Sequence, residues 1–366
     1  MATQEQLLSA IEKQRTYFKT DNYSMSIGEL KNLYEDGELI INPEYQRLFR
    51  WSEGQKVRLI ESILMGIPLP TIFVYQDPNG KWEVVDGMQR ISTLLQCMGS
   101  LKEDGNPKET LVLKGTKYLP ELEGFSWDNE NEQLRLPDSI KLAIRRSKLN
   151  ITIILSESDV NAKFEVFQRL NTGGSNASNQ EVRDNIMVML KPERYEWFSR
   201  LSNNDDFMMT IAISDRQEKE QYHKELLLRY IALSFYEYDS KKDISDFLDE
   251  INLQLLSESD ASYQVIERGF IKTFKLINKT LGEKAFKKEQ KGKFLESAFE
   301  AIAVGVSKNI DNYDDKTPLD IAFLKEKIEQ LFQQEFYIQN AGSGTNAKSR
   351  INKMIPSSIE YFKRHE

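Results

Sequence analysis

One cysteine, Cys97, and two histidines, His223 and His365, are all that this 366-residue chain holds of those residue types. A lone cysteine excludes an internal disulfide. One cysteine with two histidines cannot supply a Cys-based zinc set. That scarcity suits a reducing cytoplasm. It also argues against an HNH nuclease, a histidine-containing hydrolase triad or a multi-histidine metal centre within the chain. Long apolar runs are missing too; ITIIL and IMVML are the longest kind, far short of a membrane span. The opening MATQEQLLSAIEKQRTYF lacks the apolar centre of a secretory signal. A strong excess of positive charge is absent: Lys plus Arg is 49 and Asp plus Glu is 57, a net −8. That excludes a dedicated basic nucleic-acid coat but leaves a local basic groove open. No internal repeat is present, since Gln-Arg at 46–47, 89–90 and 168–169 recurs at unequal intervals.

What is present reads as an ordinary globular chain, with 40% hydrophobic and 29% charged residues. Its length predicts two domains. Residues 1–20 read as a short amphipathic helix with Leu7, Leu8 and Ile11 on one side. Ser26 with Glu29, Ser52 with Gln55, and Ser178 with Glu181 are capping-box patterns that open helices. Gly37 and Gly66 close the first two. Leu39–Ile41 reads as a short strand. Thr71–Tyr75 and Lys81–Val85, split by Asp-Pro-Asn-Gly, read as a hairpin. Residues 101–140 read as an irregular surface excursion or lid. Ile151–Leu155 reads as a strand, followed by a helix carrying Val160, Phe164, Phe167 and Leu170. Beyond about residue 190 strand signals vanish. Helical stripes take over, such as Leu226, Leu227, Tyr230 and Leu233, or Phe247, Leu248, Ile251 and Leu255. The expected class is α+β: an N-terminal α/β domain over 1–195, then an all-helical domain over 196–366.

Three segments carry candidate chemistry. In Val84-Val85-Asp86-Gly87-Met88-Gln89-Arg90 a strand ends, a glycine follows and a helix begins. A helix start leaves backbone N–H groups unpaired and attracts anions. Gly87 allows close approach, Arg90 offers a forked cation for phosphate, and Asp86 could hold Mg²⁺ or a water. A plain turn, with Asp86 capping and Arg90 solvated, is an equal reading of the spacing. In Pro43-Glu44-Tyr45-Gln46-Arg47-Leu48-Phe49-Arg50-Trp51, Arg47 could reach phosphate and Tyr45 or Trp51 could stack on a base. For Phe49 and Trp51 core packing is the better reading. In Phe167-Gln168-Arg169-Leu170-Asn171-Thr172-Gly173-Gly174 the diglycine exposes consecutive amides, as an anion nest does. Taken alone, a helix stop explains it better. Glu225 with Arg229 reads as a solvated helix pair, and His223 as a surface histidine. The lysine-rich Lys284–Lys293 stretch reads as a solvated face, and the basic Ser343–Arg350 stretch as a flexible loop or a phosphate contact.

Together these segments resemble a bacterial family, the N-terminal domain of GmrSD-type modification-dependent restriction enzymes. The matching signatures are Asn42-Pro43-Glu44-Tyr45-Gln46-Arg47 with Trp51, Gly66-Ile67-Pro68-Leu69-Pro70, Asp86-Gly87-Met88-Gln89-Arg90, and Asn171-Thr172-Gly173-Gly174 with Gln180-Glu181. The Glu225–Arg229 helix and Ser343-Gly344-Thr345 are similar to parts of the family's helical half. Here Met88 replaces the usual first Gln of an Asp-Gly-Gln-Gln-Arg motif. The resemblance implies a ParB/sulfiredoxin-like fold and Mg²⁺-dependent binding and hydrolysis of a nucleoside triphosphate in anti-phage defence. It implies Asp86, Gln89 and Arg90 as catalytic residues. Tyr45, Gln46, Arg47, Gly87, Asn171, Thr172, Gly173 and Gly174 would line the nucleotide, with Asp86 and Asn171 on the metal. Many members add an HNH nuclease domain, which two histidines cannot build, so DNA cutting would require a partner protein. The implied partners are the nucleotide, DNA including modified DNA, an effector or nuclease protein, and further copies of the chain, with no membrane. A non-enzymatic nucleotide or modified-DNA sensor is the alternative.

Overall fold

The computed structural model describes residues 3–15, 19–41, 51–103, 105–156, 178–289, 292–341 and 347–364. The chain divides into two compact units, Met1–Ala177 and Ser178–Glu366. Together they make an α+β protein, with every described strand in the first unit.

The first unit runs α1 (Gln4–Arg15), β1 (Thr20–Ser26), α2 (Ile27–Glu35), β2 (Leu39–Ile40), α3 (Glu53–Leu64), β3 (Ile72–Gln76), β4 (Trp82–Asp86) and α4 (Met88–Cys97). A minute hairpin, β5 (Lys102–Glu103) with β6 (Asn106–Pro107), precedes α5 (Asp138–Arg146) and β7 (Lys148–Ile154). The main sheet is mixed, in the order β1-β7-β3-β4-β2. The β3/β4 hairpin is antiparallel, whereas β3 pairs with β7 in parallel. Met25, Ile72, Val74, Val84, Ile151 and Ile153 pack with Leu30, Ile60, Ile91, Leu94 and Leu95 in one core. The serine caps explain the helix starts: Ser26 accepts from the Glu29 N–H, and both arms of the Ser52–Gln55 box are made. Gly37 and Gly66 take the left-handed conformation after α2 and α3.

Strand β1, Thr-Asp-Asn-Tyr-Ser-Met-Ser, carries no apolar alternation, and its first five residues are exposed. It exists because it pairs residue for residue with the apolar β7, from Thr20 opposite Ile154 to Ser26 opposite Lys148. Residues 101–140 are irregular as expected, but they are not a loose cover. Leu101, Leu111, Leu113, Leu122 and Leu136 are buried in the core. The Glu61 carboxylate on α3 accepts from the Thr116 hydroxyl and from the Tyr118 N–H at 3.3 Å. That ties the excursion to the helix. The helix expected over Val160 to Leu170 lies outside the described residues.

The second unit is helical throughout its described residues. Its helices are α6 (Asn179–Leu190), α7 (Pro192–Ser202), α8 (Asp205–Ile211), α9 (Asp215–Lys219), α10 (Tyr222–Phe235) and α11 (Ile244–Ser257). They continue with α12 (Asp260–Leu281), α13 (Glu296–Lys308), α14 (Pro318–Leu331), α15 (Glu335–Asn340) and α16 (Ala347–Tyr361). The apolar stripes read from the sequence are buried. Phe207, Tyr230, Phe270 and Phe274 meet with centroids about 5 Å apart, several of them edge to face. Helix α6 opens on the complete Ser178–Glu181 box. Its polar face is buried: Arg183 donates to Asp249 at 2.7 Å, and Asp184 accepts from Lys224 at 2.9 Å. At Gly305 a methyl group would sit 2.6 Å from the Phe362 ring, so glycine lets α16 lie close against α13. Among the described residues, no helix is long and apolar enough to cross a membrane.

Two expectations fail here. His223 is buried rather than at the surface, and burial, with Lys224 beside it, lowers its pKa to about 4. Arg229 is not solvated on a helix face. Its Nη1 donates to Glu296 and Glu300 at 2.7 Å each, and its Nη2 to Glu225 at 3.0 Å. Arg350 belongs to α16, and it grips Glu300 at 2.6 Å and Glu296 at 2.8 Å. An i,i+4 spacing reveals the Glu225–Arg229 pair but not the second and third helices, α13 and α16, that enclose it.

Candidate functional site

The hairpin delivers Asp86 to the end of β4, and Gly87 turns the chain into α4. Gly87 has φ +92°, in the region that favours glycine. A Cβ there would lie 2.9 Å from Ile72 Cγ1 and 3.1 Å from Arg90 Nη2. Conformation and space therefore both require glycine. No side chain caps α4. Asp86 leaves that role open, because its carboxylate turns instead to Arg90.

Arg90 is the hub. Its Nη2 donates to Asp86 Oδ2 at 3.0 Å and to the Thr71 carbonyl at 3.3 Å, and its Nη1 donates to the Pro70 carbonyl. The Arg90 side chain is 11% exposed and that of Asp86 34%. Burial lowers the guanidinium's pKa, and the Asp86 carboxylate offsets part of that shift. The solvated arginine of the plain-turn reading is thus excluded. Among the described residues, no hydrogen bond reaches the second Asp86 oxygen.

Gln89 has a distinct task. Its Oε1 accepts from the Trp51 N–H at 3.3 Å. That bond holds the chain where it emerges from 42–50. Trp51 itself is half-buried against the core, as its packing reading required. Met88 also packs against the core, so the motif's departure from Gln places a thioether in an apolar contact. Three sequence signatures thus meet around the start of α4: Trp51 through Gln89, Pro70 and Thr71 through Arg90, and Asp86 itself. Sequence reasoning missed the roles of the Pro70 and Thr71 carbonyls and of the Trp51 amide. Backbone groups leave no trace in residue type. Tyr45, Gln46, Arg47, Asn171, Thr172, Gly173 and Gly174 lie outside the described residues.

No group of three His, Cys, Asp or Glu side chains able to hold a metal occurs among the described residues. Glu83 and Asp86, three residues apart at the end of β4, therefore gain no third carboxylate there. A lone half-exposed carboxylate beside an uncapped helix start does suit Mg²⁺, which binds through one or two carboxylates plus substrate phosphates and water.

The arrangement defines a class: a small mixed-sheet α+β domain that presents a glycine-opened helix start with an Asp–Arg pair. Residues 27–188 match the family model described as GmrSD restriction endonuclease, N-terminal domain. Over that stretch the chain is similar to the N-terminal domain of GmrSD restriction endonucleases. The match runs past Ala177 into α6. No curated protein matches the chain.

Proposed function

We propose that the chain binds a nucleoside triphosphate with Mg²⁺ at the start of α4 and hydrolyses it, as a regulatory or sensing subunit of a cytoplasmic anti-phage restriction system. The observation that carries this reading is the uncapped α4 start flanked by Asp86. Backbone amides of the first turn would receive phosphate oxygens, and their dipole would favour the negative charge. Asp86 and Asn171 would hold Mg²⁺, which supplies charge neutralisation on the phosphates when bound. Gly87 lets the phosphates approach the backbone. Gln89 donates through its side-chain amide while its oxygen keeps Trp51 in place. Arg90 acts as a positioning group: it fixes the Asp86 carboxylate and the 70–71 carbonyls. Arg47, with Tyr45 and Gln46, would supply cation and base contacts, and Thr172–Gly174 would complete the nucleotide site. Positioning and electrostatics dominate such chemistry. DNA, including modified DNA, and an effector or nuclease protein would be the downstream partners.

One observation favours a second reading, binding without turnover. Both terminal nitrogens of Arg90 are engaged by protein acceptors, so transition-state charge must be met by other groups. Phosphate release from a nucleotide panel with Mg²⁺ separates the two. Turnover lost in Asp86→Asn and in Arg90→Ala supports hydrolysis. Thermal stabilisation by nucleotide without phosphate release supports the sensor. Turnover that persists in both variants overturns the site.

A further inference from the structure

Residues 139–155, which make nearly all of α5 and all of β7, include Lys141, Arg145, Arg146 and Lys148 and no acidic residue. In a chain of net charge −8 that is a local reversal of sign. Lys141 is taken by Asp128 at 2.8 Å. Arg145, Arg146 and Lys148 are exposed, and among the described residues none of them has an ion-pair partner. The helix dipole favours arginines in the last turn of α5, but Lys148 lies beyond the helix and gains nothing from it. A Cβ at Gly28 would lie 3.3 Å from the Arg145 carbonyl, so α2 packs closely on the end of α5 and holds this backbone firmly.

The adjoining sheet face continues the pattern. Leu149, Ile151 and Ile153 of β7 enter the core, so Lys148 and Asn150 stand on the opposite face. There Asn150 lies opposite Ser24 and Thr152 opposite Asn22 of the edge strand β1. Asn22, Ser24 and Asn150 are exposed. The Thr152 hydroxyl donates to Asn22 Oδ1 at 2.8 Å, which leaves the Asn22 NH₂ group to donate to a ligand. These positions hold no acid and no apolar side chain, and the acid of β1, Asp21, belongs to the other face by strand alternation. A protein partner would need an apolar centre that this face lacks. Phosphate oxygens need only the cations and hydrogen-bond donors that it offers. No aromatic ring is present among them for an unpaired base to stack on, which favours a duplex over a single strand. One register row crosses the sheet from Asp86 through Phe73 and Thr152 to Asn22. At about 4.8 Å per strand, Asn22 lies on the order of 15 Å from Asp86.

We propose that Arg145, Arg146 and Lys148, with the neutral ladder of Asn22, Ser24 and Asn150, bind the phosphate backbone of duplex DNA without reading its sequence. The proposal rests on the reading of DNA as a partner of this chain, and it gives that partner a place beside the nucleotide site. A flat sheet face enters neither groove, so the contacts position the duplex and carry no base information.

The test is fluorescence anisotropy of two labelled duplexes of unrelated sequence, titrated with the full-length protein from about 50 to 200 mM salt. No nucleotide is added, so the result is independent of whether the α4 site binds or hydrolyses one. The wild type is expected to bind both duplexes equally, with a log–log salt slope of about −2 to −3, the value for two or three phosphates. Arg145→Glu with Arg146→Glu should weaken binding about tenfold or more and flatten the slope by about 2, with unchanged circular dichroism. Lys284→Glu with Lys288→Glu, at exposed lysines of the second unit, makes the same change in net charge and should bind as the wild type does. A wild type that binds neither duplex overturns the proposal, including one that binds anionic lipid vesicles instead. So does an arginine variant that binds as tightly as the wild type, or a lysine variant that loses as much as the arginine variant. A preference for one duplex sequence overturns the backbone-only contact.

Discussion

Gly87 concentrates the demands of the candidate site in one residue. Its φ of +92° strains any side chain, and the nearest atom a Cβ would meet is only 2.9 Å away. Ile72, which supplies that atom, is buried on β3 and cannot retreat without disturbing the core. Gly87→Ala is therefore expected to lose roughly 1–3 kcal/mol of stability in urea denaturation, from strain and overpacking together. Nucleotide-induced thermal stabilisation should disappear with it. A variant as stable as the wild type would show that this turn is not under the constraint assigned to it. Arg90 makes a related point. The sequence marks it as a cation at a helix start, and its composition suits phosphate. Its two terminal nitrogens are spent on Asp86, Pro70 and Thr71 instead, so residue type alone misjudges what the guanidinium touches.

At the scale of elements, a buried charge cluster binds α10, α13 and α16. Glu300 is fully buried between Arg229 and Arg350. Burial alone would pull the Arg229 pKa down, but Glu300, Glu296 and Glu225 hold it above the ordinary value. Glu300→Ala would leave two guanidinium groups without their shared carboxylate. The expected loss is about 3–5 kcal/mol, the penalty for a buried charge stripped of its partner. Equilibrium unfolding measures it, and a loss under about 1 kcal/mol would mean that Glu296 and water compensate. For Glu296 burial raises the pKa, but Arg229 and Arg350 outweigh it and hold the carboxyl below its ordinary range. That contribution is complete above the unfolded carboxylate pKa and fades as pH falls through the lower folded value.

At the scale of the whole molecule, two separate cores predict two calorimetric transitions. Trp51, Trp82 and Trp127 report on the first unit by fluorescence, and Trp197 on the second. Acid should move the second transition through His223. Its folded pKa of about 4 lies below the ordinary 6.5, so the unfolded chain takes up the proton first. Stability is complete above 6.5, declines between 6.5 and 4, and reaches a loss on the order of 3 kcal/mol below that window. His223→Gln should flatten this part of the profile. An unchanged slope would mean that carboxylates alone set the acid limit.

Elements that rest on local chemistry are legible in the order of the residues alone. The serine capping boxes, the glycine stops after α2 and α3, the Asp-Pro-Asn-Gly hairpin and the 3.6-residue stripes of the second half act within a few residues of themselves. The Asp86–Arg90 segment was legible for the same reason, since a strand, a glycine and a helix start are adjacent in the chain. Other features arise only when distant segments meet. Polar β1 became a strand only because β7 offered it a register, and the 101–140 excursion joined the core through leucines scattered too widely to show a period. His223 and Arg229 became buried because distant helices closed over them. Pro70, Thr71 and Trp51 entered the site through backbone groups, which every sequence carries alike and only a folded chain can aim.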